Sequence, residues 1–306
     1  MIYTCTMNLA IDLFIKTQDL VPFVVNRTQE ADYQPNGKGV NVSFILKKLG
    51  LDSTALGFSA GFTGRFISDQ LLAAGIQTAF IPIPGINRIN VFTRVTSQNL
   101  EYKLVNQGPG LSPDHIQQLL AQIKRLKPQD TLVISGSHPQ GVTDDTYLAI
   151  GQAAQAQGFQ LILDISSPIV LDLLPYGPAL IKPNDEELAH WFQAEALNQD
   201  QLIYYGRQLL DKGARQVLLS LGPDGALLLT PEISLRATAP QGQVVNTACA
   251  GDTLLATFIG CRQQGLSYED SLVKAVAAGS STAFRPGLTD FSDVAELSKS
   301  IELTYL

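Results

Sequence analysis

Asp252 is the one carboxylate in the stretch "VVNTACAGDTLLATF", residues 244–258, where it follows three small residues and gives way at once to an apolar run. Small residues let a backbone turn tightly and approach a ligand, and an acid in the first turn of a helix sits where unpaired N–H groups point outward. The plain reading is a tight turn in which Asp252 favours the helix dipole. The chemical reading is an anion hole made by the amides of Cys249, Ala250, Gly251 and Asp252, with the Asp252 carboxylate as proton acceptor. Moving a phosphoryl group needs both parts, because charge spreads over the transferred oxygens while the attacking hydroxyl loses its proton.

Other polar clusters have the same character. In "KPNDEEL", Asn184 and Glu187 have the spacing of a capping box, and Lys182 with a carboxylate at a strand end also suits nucleotide phosphates and a magnesium ion, directly or through water. The two roles are compatible. In "NGKGVNV", Gly37 and Gly39 flank Lys38 at a helix start, so backbone amides and one ammonium could meet a polar or anionic substrate. It is not a Walker A loop, since Gly39 follows the lysine where Ser or Thr is required. "SGSHPQG" (135–141) and "SLGPDGA" (220–226) are turns after apolar strands, and Arg88 and Asn90 in "NRINV" are either a solvated strand face or a grip on a phosphate, for which the arginine fork is well shaped. "GFSAG" (57–61) matches a nucleophile elbow, but its chemistry needs a histidine late in the chain; His115, His138 and His190 all lie earlier.

These clusters fall in turns of a chain that alternates strand and helix. "GVNVSFILKKLG" and "TGRFISDQLLAAG" read as helices ending at Gly50 and Gly75, with "STALGFSA" as a strand between them; "LSPDHIQQLLAQIKRL" is a helix with Ser112 as N-cap and Pro113 behind it. "DTLVISGS", "FQLILDIS" and "ALIKPN" read as strands, and "TDDTYLAIGQAAQAQG" and "NDEELAHWF" as helices. "RQVLLSLGPDGALLL" gives two strands around a Pro-Asp-Gly turn, and helices on either side of "GLSYEDS" close the chain. The expected fold class is α/β: three layers, with a mostly parallel central sheet covered on both faces and ligands held beyond the strands' carboxyl ends. Residues 12–35 and 87–106 break the alternation and read as strands with short turns, forming a small separate sheet that serves as a lid. A single domain over 1–306 is expected.

The totals narrow the function classes. The 306 residues carry a formal charge of −7 and are 45% hydrophobic, which suits a globular domain and argues against nonspecific binding to nucleic acid or to an anionic membrane surface. The start, "MIYTCTMNLAIDLFIK", alternates like a strand and lacks the basic region and long apolar core of a signal peptide, no stretch approaches a membrane span, and Cys5, Cys249 and Cys261 lie far apart. A cytoplasmic protein without disulfides is expected.

Taken together, "NGKGVNV", "KPNDEEL", "SLGPDGA" and "ACAGDT", in that order, resemble the ribokinase-like or PfkB carbohydrate kinases over nearly the whole chain. "MIYTCTMNLAID", "NRINV", "QGPGLS" and "SGSHPQG" are similar to the branch that contains 1-phosphofructokinase and tagatose-6-phosphate kinase, with "RINV" leaning toward the former. The resemblance implies an ATP- and magnesium-dependent transferase that converts fructose 1-phosphate to fructose 1,6-bisphosphate, tagatose 6-phosphate being the next candidate. It implies Asp252 as catalytic base and the turn from Cys249 through Ala250 and Gly251 as anion hole. Lys182, Asn184 and Glu187 would serve the ATP phosphates and magnesium, with Ser220, Gly222 and Gly225 also on the nucleotide side. Asp12, Gly37, Lys38, Gly39, Asn41 and Asn90 would hold the sugar, Ser137 would border it, and Arg88 with Lys38 would hold its phosphate. The lid sheet would exclude water and form a homodimer interface. A catalytically weak binding protein of the same fold is the alternative of another class.

Several residues depart from that branch's pattern. Leu9 replaces a proline, Asn36 and Cys249 replace glycines, Phe92 replaces a lysine, His138 a leucine, and Lys103 a glutamate. Asn36 is expected to suit a left-handed backbone, which asparagine enters readily, and Cys249 to suit one less well. A lysine lost at Phe92 and gained at Lys103 is expected to move the charge that meets the sugar's phosphate.

Overall fold

A computed structural model describes all 306 residues. The alternating start is two strands in two different sheets: β1 (Ile2–Thr6) lies in the main sheet, and β2 (Ala10–Thr17) is followed by an exposed connection and β3 (Glu30–Asn36). Then come α1 (Lys38–Lys48), β4 (Ser53–Ala60), α2 (Gly61–Ala73), β5 (Gln77–Thr78), β6 (Ile81–Ile83), β7 (Arg88–Val95) and β8 (Leu100–Leu104). The middle of the chain holds α3 (Pro113–Ile123), β9 (Thr131–Ser135), α4 (Asp144–Gln157), β10 (Gln160–Asp164), α5 (Val170–Leu173), β11 (Leu180–Ile181), α6 (Asp185–Trp191) and α7 (Gln199–Asp211). The last third adds β12 (Val217–Ser220), β13 (Ala226–Leu229), β14 (Ser234–Ala237), α8 (Ala250–Gln263), α9 (Tyr268–Ala283), α10 (Val294–Ser298) and β15 (Leu303–Tyr305).

The main sheet runs β15-β14-β13-β12-β11-β10-β9-β1-β4-β5, with β6 also on β4. It is parallel from β5 to β12 and antiparallel from β12 to β15. Burial on both faces explains the unbroken apolar strand sequences. In β9, Leu132 and Ile134 join a cluster that contains Leu119 of α3 and Tyr147 of α4, while Val133 between them joins Ile45 of α1 and Phe258 of α8 on the other face. The same two-residue alternation splits Leu161 and Leu163 from Ile162 in β10, and Val217 and Leu219 from Leu218 in β12. The fold is therefore the expected three-layer α/β arrangement.

The second sheet is β3-β2-β7-β8, with β2 and β7 parallel and the outer pairs antiparallel. It has the strands expected from 12–35 and 87–106, but residues 18–29 form a long, mostly exposed connection where short turns were expected. The chain also ends on a strand, β15, beyond its last helix, and "ALIKPN" keeps only two residues of strand because Pro183 has no N–H to continue the ladder.

Candidate active site

The carboxyl ends of β1, β9, β10 and β11 and the start of α8 converge beneath the small sheet. Cys249 takes the left-handed conformation, with φ 64° and ψ 0°, and its carbonyl receives the first helical bond from Thr253 N at 2.9 Å. The N–H groups of Cys249, Gly251 and Asp252 make no internal bond, and Ala250 N reaches Thr247 O only at 3.4 Å. Three free amides and one weakly held amide thus face outward from the positive end of a helix, which is the chemistry an anion requires. Asp252 is buried in this first turn, and its Oδ2 accepts from Asn41 Nδ2 at 2.8 Å. Burial, reinforced by the nearby Asp164 charge, pushes its pKa up to about 6 against the opposing pull of Lys38, Asn41 and Lys182.

Asp164, at the end of β10, is a site residue that the sequence reading passed over. Its Oδ1 receives both Lys38 Nζ and Lys182 Nζ at 3.1 Å, and it is fully buried. Burial alone would raise its pKa, but the two ammonium groups outweigh that effect and hold it below the ordinary carboxylate value. The signal was present in "LILDIS": a lone acid ending an apolar strand at a strand-to-helix turn. Lys182 faces the start of α8, since a Cβ on Gly251 would lie 3.6 Å from its Nζ. Lys38 therefore shares a carboxylate with Lys182. Gly37 and Gly39 let α1 begin against β1, because a Cβ on either would come within 2.5 or 2.6 Å of the Thr6 side chain.

The small sheet contributes a second polar group. Asp12 of β2 is buried; its Oδ1 accepts from Asn90 Nδ2 of β7 at 2.7 Å and its Oδ2 from Asn36 Nδ2. Burial raises its pKa, opposed by Asn90, Arg88 and Asn36. Arg88 reaches only two carbonyls, those of Asn8 and Asn106, each at 3.4 Å, and pairs with no carboxylate. Asn8 Nδ2 donates to Ser137 Oγ at 3.1 Å, which brings the turn after β9 to the same place. On the far side, Asn184 and Glu187 form the capping box of α6, Asn184 N bonding Glu187 Oε2 at 3.0 Å and Glu187 N bonding Asn184 Oδ1 at 2.6 Å. Ser220 lies beside them, bridged to Asn184. Gly222 is left-handed with open space where a Cβ would stand, whereas Gly225 is packed so that a Cβ would lie 1.9 Å from Ala237 O.

Eight buried side-chain polar atoms lack a partner, and five of them belong to this region: Thr6 Oγ1, Asn8 Oδ1, Arg88 Nε, Ser135 Oγ and Asp164 Oδ2. Buried polar groups are rarely left unpaired, so their concentration at one set of strand ends marks a place built to receive polar ligands. A cavity of about 280 Å³ extends from Asn41 and Cys249 outward between the small sheet (Phe14, Gln34), α1 (Phe44, Lys48) and the loop at 286–288. No group of three or more acidic, cysteine or histidine side chains forms a metal cage.

Two expectations are corrected here. Asn36 is the last residue of an extended strand and is not left-handed; the positive φ falls on Gly37, at 137°. Lys103 does not carry a free charge toward the site, because it pairs with Glu101 at 3.2 Å, while Phe92 stacks on Phe14 with centroids 5.0 Å apart. No histidine bonds Ser59 of the elbow-like "GFSAG": His115 is in the capping box of α3, His138 packs on Tyr147 and His190 lies in α6.

Known proteins resemble this chain along its whole length. Residues 4–295 match the pattern of the pfkB family carbohydrate kinases. The chain is 53% identical to D-tagatose-1-phosphate kinase of Bacillus licheniformis and 35% identical to 1-phosphofructokinase of Bacillus subtilis, in each case over 100% of both chains. The tetrameric inhibited form of phosphofructokinase-2 from Escherichia coli superposes with a TM-score of 0.89 at 28% identity, covering 97% of this chain and 98% of that one.

Proposed function

The chain belongs to the pfkB family of carbohydrate kinases, and from that membership we propose that it transfers the γ-phosphoryl group of ATP to the free primary hydroxyl of a ketohexose 1-phosphate, giving the 1,6-bisphosphate. D-fructose 1-phosphate and its C4 epimer D-tagatose 1-phosphate both fit. The 53% identity to a tagatose-1-phosphate kinase makes the tagatose compound the first acceptor to test. It also favours the 1-phosphate of tagatose over the 6-phosphate considered from sequence.

In this reading the hydroxyl of the acceptor lies against Asp252, whose Oδ2 is held by Asn41 while Oδ1 is left to take the proton. The amides of Cys249, Ala250, Gly251 and Asp252 face the migrating phosphoryl group, and Lys182 and Lys38 add positive charge beside them. Asp12, Asn90, Asn41 and the turn of Gly37 and Gly39 orient the sugar, Ser137 borders it, and Arg88 holds its phosphate. Asn184, Glu187, Ser220, Gly222 and Gly225 line the nucleotide side. Magnesium fits a site that offers no cage but has two carboxylates, Asp164 with an unpaired buried oxygen and Glu187 at the start of α6. Bound there with the nucleotide, it would neutralise phosphate charge. The small sheet covers the sugar so that water does not take the phosphoryl group.

The observation that carries the reading is the gathering of unpaired buried polar atoms around a helix start whose amides are free and whose acid is perturbed upward. A coupled assay of ADP release over D-tagatose 1-phosphate, D-fructose 1-phosphate, tagatose 6-phosphate and unphosphorylated ketohexoses tests it. Turnover confined to the 1-phosphates is expected; background rates with every sugar would leave a binding protein instead. The reading includes a homodimer joined through the small sheet, whose edge strand β8 is exposed along its whole length, and a cytoplasmic setting, which suits three cysteines that are all unpaired.

A further inference from the structure

Asn36 stands at the joint between the two sheets. It ends β3 of the small sheet and is followed by Gly37, from which α1 of the main layer begins. Its side chain reaches both ways. The Nδ2 donates to Asp12 Oδ2 on the small sheet, and the Oδ1 accepts from Asn41 Nδ2 of α1 at 3.1 Å. Asn41 has one further hydrogen on that nitrogen, and it goes to Asp252 Oδ2 at 2.8 Å. An unbroken line of hydrogen bonds, Asp12 to Asn36 to Asn41 to Asp252, thus joins an acid of the covering sheet to the acid at the start of α8.

We propose that Asn36 is a positioning residue that sets the orientation of the Asp252 carboxylate according to the place of the small sheet. This rests on Asp252 being the base, as given above. A primary amide can do this because it donates with one end and accepts with the other, so the Asn41 amide is turned with its second hydrogen toward Asp252 only while Asn36 is itself held by Asp12. When the small sheet moves away, Asn36 travels with Asp12, and Asn41 loses the acceptor that aligns it. A glycine at this position could make neither bond. Cys249 stands against the same pair, its Sγ 3.1 Å from Asn41 Nδ2 and 3.8 Å from Asn36 Nδ2, and it limits how far either amide can swing. The charged and titratable groups around the two acids are Lys38 from α1, Lys182 after β11 and Asp164 from β10 near Asp252, Arg88 from β7 near Asp12, and Cys249 near both.

Asn36→Ala and Asn36→Leu separate hydrogen bonding from space filling, since leucine keeps the branched, four-atom side-chain frame of asparagine, somewhat enlarged, without its amide. Both variants are expected to lose kcat by about 10- to 100-fold, the usual effect of a misaligned reacting group. The KM for ATP should stay near that of the wild type, and the acid limb of kcat should move to higher pH, because a carboxylate that loses a donor binds its proton more tightly. A leucine variant with the wild-type rate and pH profile would show that the side chain only fills space and would overturn the proposal. Carbon-13 titration of the aspartate carboxyls reads the same coupling without turnover: the Asp12 and Asp252 titrations should both move upward in either variant, and an unmoved Asp252 would sink the idea. If the wild type turns over no ketohexose phosphate, the proposed function falls and the titration alone decides this inference.

Discussion

Among single residues, Asp252 and Asp164 show how neighbours divide the work of two similar acids. Both are buried, but Asp164 holds two ammonium groups and stays ionised, whereas Asp252 has only an amide on Oδ2 and is pushed up to about 6. In its proposed role as base Asp252 works deprotonated, so kcat should fall as pH drops through about 6; a rate unchanged down to pH 5 would remove Asp252 from the role. Asp252→Asn should lower turnover by about 10² to 10⁴ while ATP still binds, as read by calorimetry. The same substitution should stabilise the protein. The folded-state pKa lies above the unfolded one, so the folded state holds the extra proton between them and stability falls as pH rises across that window. Asp252→Asn should therefore raise Tm clearly at pH 8 and much less at pH 5, measured by calorimetric melts. An equal gain at both pH values would mean that the carboxylate's charge is not what strains the fold.

For the elements, the determining features are where helices begin and how hairpins close. The start of α8 turns through Cys249 in a left-handed conformation that costs an L-residue about 1–2 kcal/mol, and the free amides beyond it are what that turn exposes. Backbone strain of this kind is common at functional sites, in keeping with the proposed role of this turn. The hairpin of β12 and β13 has two positive-φ glycines with different reasons for being glycine. At Gly222 only the backbone angle objects to a side chain, while at Gly225 a Cβ would collide with Ala237 O at 1.9 Å. Gly222→Ala should cost about 1 kcal/mol, in line with the left-handed penalty. Gly225→Ala should cost distinctly more, because β13 would have to part from β14. Urea unfolding of the two variants measures the difference, and equal losses would contradict the packing described for Gly225.

At the scale of the molecule, two sheets share one site, and the small one leaves an edge strand without a partner. Exposed edges invite pairing with a second chain. Two 33.0 kDa chains joined there should sediment together, and Leu104→Asp, on the exposed edge strand β8, should shift the equilibrium toward single chains. Sedimentation velocity over a dilution series reads this, and a variant that sediments as the wild type would place the interface elsewhere. Ligand should also tie the sheets together: ATP with a sugar 1-phosphate should raise Tm by more than ATP alone, since each adds to the folded state by mass action.

Much of this was legible in the residues because it is written in local chemistry. Apolar strands buried on both faces have to be continuous runs, helices announce their starts through Ser112, Asn184 and the small residues before Asp252, and ligand-binding turns follow strand ends in an α/β fold. The two-sheet architecture and the capping box at Asn184 and Glu187 followed from such local rules, whereas the left-handed turn at Cys249 was suggested only by the glycine that the resembling family has there. What tertiary structure alone decided was which distant groups share an atom. Asp164 gathers Lys38 and Lys182 from two other elements, Asn36 takes an extended backbone because Gly37 absorbs the turn, and Lys103 spends its charge on Glu101. Those outcomes depend on how strands from separate parts of the chain are laid side by side, and hydrogen bonds and charges act over a few ångströms whatever the separation in sequence.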